Sequence, residues 1–173
     1  MKTWLFIIGL STLAPAFAQH DAHPQAGHSP YAGMQSRAIM ALSDQQLADL
    51  RAGRGMSLAL PAELNGYPGP SHALDLADAL ALTAEQKLRT QTLFEQMQAE
   101  AKALGEQLIS SEYELDRLFR DKRANSASVQ EAAAKAARAQ GQLRAAHLQY
   151  HLKMVDVLTP DQVAKYNELR GYR

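Results

Sequence analysis

Apolar residues recur at helical spacing through the C-terminal half of the chain. Leu93, Met97, Ala101, Leu104, Leu108, Leu115 and Leu118 follow one another at intervals of three, four or seven, the period that lines one face of a helix. No proline interrupts the run, which predicts a helix over 82–121. Ala124-Asn125-Ser126-Ala127-Ser128 breaks the pattern, and Ser128 with Glu131 reads as a capping box that opens a second helix over 128–157. Its seam is Ala133, Ala136, Gln140, Leu143, His147, Tyr150, Met154 and Val157, at alternating spacings of three and four. The alanines at its start let two backbones approach closely near the turn. Together the two runs predict a long antiparallel helical hairpin.

Shorter elements flank it. Leu158-Thr159-Pro160-Asp161-Gln162 carries a staple residue, a cap, a proline at the first helical position and a glutamine that can reach back, and Gly171 is the stop, giving a closing helix over 159–170. On the other side Ser43 and Gln46 form a capping box, Leu42 is placed to staple against Leu47, and Gly53 ends the helix. Residues 53–70 are punctuated by glycine and proline, with one helical turn expected around Leu58 to Leu64, and a short helix is expected from Ser71 to Ala79. Residues 19–41, which include His20, His23 and His28, show no apolar period and read as a flexible arm. The fold class is therefore all-α, with 42–173 as a single helical domain.

The first residues change the picture of where the chain works. Lys2, the apolar run Trp4 to Leu10 and Ala16-Phe17-Ala18 have the form of a secretory signal peptide cleaved after Ala18, which places the mature protein in the periplasm. The chain carries 18 Lys+Arg and 18 Asp+Glu, and Lys2 is the only charge before Gln19, so the mature balance is 17 against 18. Such a balance gives nucleic acid no electrostatic hold. Cysteine is absent, which removes both disulfides and thiol chemistry and leaves stability to helix packing or oligomerisation.

Leu-(Ser/Thr)-x-x-Gln occurs three times, from Leu42, Leu82 and Leu158. Each copy alone is helix-cap grammar. The pair Leu82-Thr83-Ala84-Glu85-Gln86 and Leu158-Thr159-Pro160-Asp161-Gln162, flanking one hairpin in an exported, cysteine-free chain, resembles the hallmark of the Spy/CpxP family. The resemblance runs from about Leu74 to Arg170. It implies a cradle-shaped antiparallel homodimer and one of three roles: ATP-independent holding of unfolded or misfolded envelope proteins, response to zinc or nickel, or inhibition of a sensor kinase through its periplasmic domain. In this reading Leu82, Thr83, Gln86, Leu158, Thr159 and Gln162 are structural caps.

Two sets of candidate functional residues follow. Phe94, Ile109, Tyr113 and Phe119 lie beside the hairpin seam and, with Arg117 and Arg120, could offer clients apolar contact tempered by charge. The alternative for each apolar member is burial under residues 42–80 or in a dimer interface. His147 and His151 stand at i and i+4 on one helical face, the spacing that lets two imidazoles reach one Zn, Ni or Cu ion, and His20, His23 and His28 could add further nitrogens. His147 also falls on the seam, where a neutral core imidazole is the alternative. No cofactor is required by either role. With no cysteine, no Gly-rich phosphate loop and no His-Glu-x-x-His, the sequence is expected not to be an enzyme.

Overall fold

The computed structural model describes residues 29–172. The expected signal peptide and the candidate ligands His20, His23 and His28 lie outside the described residues. Residues up to Ala32 belong to a separate unit, of which 29–32 is a turn closed by the Ala32 N–H on the Ser29 carbonyl at 2.8 Å. From Gly33 onward the regular elements are helices: α1 Asp44–Ala52, α2 Leu60–Glu63, α3 Pro70–Asp75, α4 Ala84–Arg120, α5 Ser126–Val155 and α6 Pro160–Leu169. No strand is formed among the described residues, and the single β contact is an isolated bridge between Ile39 and Leu42. No described helix is long and apolar enough to cross a membrane.

The two long helices, α4 and α5, pack along one another, as the apolar period predicts. Gln86 meets Val157, Arg89 meets Asp156, Glu100 meets Tyr150 and Glu114 meets Lys135, so the pairs run in opposite order along the two helices. The start of α5 differs from expectation. Its cap is Asn125, whose side chain accepts from the Ser128 N–H at 3.1 Å while the Ser128 hydroxyl accepts from the Asn125 N–H at 3.1 Å. Asn and Ser cap comparably well. A box that uses both residues adds helix before Ser128, whereas a box of Ser128 and Glu131 would leave Asn125 without a role. The seam of α5 also shifts. Ala133 and Gln140 are exposed while Ala136, Ala139, Leu143 and Ala146 are buried, which leaves the Gln140 amide in water.

Residues 39–80 complete the core at two places. Ile39, Leu42, Leu47 and Leu50 pack with Ala101, Leu108 and Ile109 of α4 and Ala139 and Leu143 of α5. Ile39 is thus a core residue, and the arm expected to reach residue 41 ends before it. At Gly105 the Leu50 carbonyl lies 2.6 Å from where a Cβ would stand, so a glycine is what lets α1 approach α4 this closely. A second cluster joins Ala73, Leu80 and Leu82 to Met154, Val157, Leu158 and Tyr166. α3 is shorter than expected, ending at Asp75 rather than near Ala79, because the chain turns at Leu76 and reaches Ala81 in a left-handed conformation (φ 48°).

The paired motif does more than cap. Thr83 and Thr159 each accept from the N–H three residues on, and Gln86 and Gln162 each reach back to the cap N–H. The two glutamine amides then meet. Gln86 Nε2 donates to Gln162 Oε1 at 2.7 Å and Gln162 Nε2 donates to Gln86 Oε1 at 3.0 Å. Their remaining N–H groups donate to the Val157 carbonyl at 2.9 Å and the Leu80 carbonyl at 3.2 Å. Both amides are saturated, and the N-termini of α4 and α6 are tied together. Leu82 and Leu158 are buried in the second cluster beside this pair.

Candidate functional site

The most connected polar group is one that sequence patterning passes over. Glu63, the last residue of α2, is buried, with a side chain 6% exposed. Its Oε1 accepts from Tyr166 OH at 2.5 Å, His72 Nδ1 at 3.1 Å and Tyr172 OH at 3.2 Å, and Arg170 Nε lies 3.5 Å away. Its Oε2 has no hydrogen-bond partner and lies 3.6 Å from His151 Nδ1. Burial foremost, then the bond to Glu63 and its charge, push the Tyr166 hydroxyl far above its ordinary value of 10.0, so the tyrosine stays a donor. The cluster holds the α2–α3 loop, α5 and the C-terminal residues to one point.

His147 and His151 come together in this region on consecutive turns of α5, both buried at 2% and 7% exposure. His151 Nδ1 lies 2.7 Å from the Tyr67 carbonyl. Because a carbonyl only accepts, Nδ1 carries a proton, and in the neutral ring the lone pair is on Nε2. The same reasoning, from its bond to the Glu63 carboxylate, leaves the lone pair of neutral His72 on Nε2. His147 Nε2 is buried without a hydrogen-bond partner. Burial, and then the neighbouring His151, hold the His147 imidazole below its ordinary value of 6.5, with Glu100 pulling the other way. Gly69 is required here, since a Cβ would stand 2.8 Å from the His151 ring.

These residues line a cavity of about 470 Å³, a size that suits a small ligand. Its wall includes Phe94, Met97 and Gln98 of α4, His147 and His151 of α5, and Gly55, Met56 and Ser57 of the turn that Leu58 closes. That turn is closed by the Leu58 N–H on the Gly55 carbonyl at 2.7 Å, with Met56 at φ 44° and Ser57 at φ 63°. Two successive non-glycine residues at positive φ occupy positions that favour Asn and Gly, at a cost of roughly 1–2 kcal/mol each.

The candidate client residues separate. Ile109 is buried at 8% beneath α1 and is not available to a partner, the cover being residues that a period along α4 alone does not reveal. Phe94 is half-buried in the cavity wall. Tyr113, Phe119, Arg117 and Arg120 are exposed near the connection between the long helices. Arg120 is paired with Asp116 and lies over the Tyr113 ring at 5.7 Å, and Arg117 reaches Asp121 at 3.5 Å. At the opposite end Leu88, Leu152 and Val155 are 69%, 56% and 42% exposed. Leu88, Leu93 and Val157 border an open groove of about 450 Å³ together with Arg89, Lys153 and Asp156.

Among the described residues no three His, Cys, Asp or Glu side chains stand together as a metal site. The donor chemistry nonetheless fits a metal in part: three imidazoles line one cavity, two with Nε2 fixed as the lone-pair nitrogen and the third unpartnered. Glu63, Tyr67, Tyr166, Arg170 and Tyr172 escaped the sequence reading, and only the Tyr67-Pro68-Gly69-Pro70 turn signalled an unusual backbone. No protein-family model matches the chain, and neither a characterised protein nor a solved structure does.

Proposed function

We propose that this protein is a periplasmic, Spy/CpxP-like holding chaperone that binds unfolded envelope clients on the outer surface of its two long helices without ATP. The observation that carries the reading is the exposure of Leu88, Leu152 and Val155, large apolar side chains of which Leu88 borders a groove with Arg89, Lys153 and Asp156. Apolar groups in contact with water bind exposed hydrophobic segments, and the interleaved charges keep the complex soluble and reversible. Tyr113 and Phe119, flanked by Arg117 and Arg120, repeat the arrangement at the far end of the antiparallel hairpin. Pairing of two hairpins into a homodimer would extend the surface into a cradle. Light scattering tests the role: equimolar mature protein should slow the aggregation of a reduced or heated client, and an unchanged aggregation curve would remove it.

A second reading is favoured by the cavity. His147, His151 and His72 line it, with His147 Nε2 free of any hydrogen-bond partner, a donor chemistry that suits Zn, Ni or Cu. Calorimetric titration with Zn(II), Ni(II) and Cu(II) should give micromolar binding that is lost in His147→Ala and His151→Ala. Binding that survives both substitutions would place the ion elsewhere.

A further inference from the structure

The metal reading leaves the ion open, and the cavity wall bears on which one it is. Hard and borderline dications such as Zn(II) take three or four nitrogen and oxygen donors. Among the described residues no such set is assembled. Glu63, the carboxylate in the wall, has its Oε1 engaged by Tyr166, His72 and Tyr172, and its Oε2 lies 3.6 Å from His151 Nδ1. What the cavity offers instead is soft. Met97 of α4, 9% exposed, and half-buried Met56, held on its strained turn, line the same wall as His147 and His151. By contrast Met154 is fully buried in the apolar cluster and does not line the cavity.

Thioether sulfur selects Cu(I) over the borderline dications, and in a chain without cysteine it is the softest donor available. We infer that the cavity is a soft-cation site that takes Cu(I) on His147 Nε2 and the Met97 sulfur, with Met56 and His151 as further donors. This rests on the metal-binding reading above and adds the ion and the thioether ligands.

Residue-resolved binding tests it. The mature chain, labelled with ¹³C at the methionine methyls, is titrated anaerobically with Cu(I) and with Ag(I) as a redox-inert probe. The methyls of Met56 and Met97 should shift, while those of Met34, Met40 and Met154 stay in place. Met97→Leu, which conserves side-chain volume, should weaken Ag(I) at least about tenfold, since even outer partners of a metal site cost that much. Shifts confined to Met34 and Met40, or an unchanged Ag(I) affinity in Met97→Leu, would overturn the inference. Zn(II) or Ni(II) binding dependent on His147 and His151, with no response of the two methyls to Ag(I), would overturn it while leaving the metal reading intact. Absence of any ion at the cavity would remove both.

Discussion

Replacing Gln86 by glutamate separates a cap from a clamp. As the third residue of a capping box, glutamate serves as well as glutamine, because only an acceptor is needed for the cap N–H. The structure adds a donor role: Gln86 Nε2 gives its two hydrogens to the Val157 carbonyl and to Gln162 Oε1. In Gln86→Glu an anionic oxygen faces both acceptors. Two hydrogen bonds of about 1 kcal/mol each are lost, and one or two part-buried acceptors are left without donors at roughly 1 kcal/mol or more each. The sum is about 3–4 kcal/mol. Gln86→Ala loses those two bonds and, in addition, the cap bond from Thr83 and the acceptor of Gln162 Nε2, and should cost at least as much, about 4 kcal/mol. Urea unfolding followed by circular dichroism at neutral pH should therefore place both variants well below the wild type. Acidification to about pH 4 or below should narrow the gap between the glutamate variant and the wild type as the new carboxyl regains a proton. A glutamate variant as stable as the wild type would show that the reciprocal amide pair carries no weight.

Three further outcomes follow from local geometry. Gly105→Ala should destabilise the fold by about 2 kcal/mol despite the better helix propensity of alanine, because the Leu50 backbone carbonyl blocks the Cβ. Gly141→Ala, where nothing lies within 4 Å, should instead stabilise by about 0.5–1 kcal/mol; urea midpoints that move in the same direction for both would contradict the packing of α1 on α4. Tyr166→Phe removes the shortest donor to a buried carboxylate and should cost about 2–3 kcal/mol, measured by the same unfolding assay, with no loss expected if Glu63 were open to water. The His147 imidazole sits below its ordinary value of 6.5 in the fold, so between the two values the unfolded chain binds more protons and stability falls as pH drops below about 6.5. His147→Gln should flatten that slope, and an unchanged slope would assign it to other groups.

What the sequence disclosed and what it withheld divide by distance along the chain. Caps and periods are local, so Ser43, Thr83 and Thr159, the glycine stop at Gly53 and the two long helices are legible without a structure. The start of α5 was ambiguous because Asn125 and Ser128 are equally good caps three residues apart. Ile109 shows the limit of periodicity: a second apolar face is visible on α4, but what covers it is set by residues more than fifty positions earlier, Leu47 and Leu50. The Glu63 cluster was out of reach for the same reason. Its partners Tyr166 and Tyr172 lie 103 and 109 residues away, and in its own neighbourhood Glu63 reads as one more polar residue before a turn. His147 and His151 could be placed on one face by spacing alone, whereas the lone-pair assignment of His151 needed the Tyr67 carbonyl.

The central claim is that clients rest on the exposed apolar positions of the two long helices. Site-specific photocrosslinking addresses it directly, with a benzophenone side chain placed singly at Leu88, Leu152 and Phe119 and, as controls, at the exposed positions Ala137 and Gln140. Irradiation with a reduced, unfolded client should give adducts from Leu88, Leu152 and Phe119 and little from the controls, and none with the same client folded. Equal labelling from all five positions, or adducts that do not depend on the client being unfolded, would contradict the account.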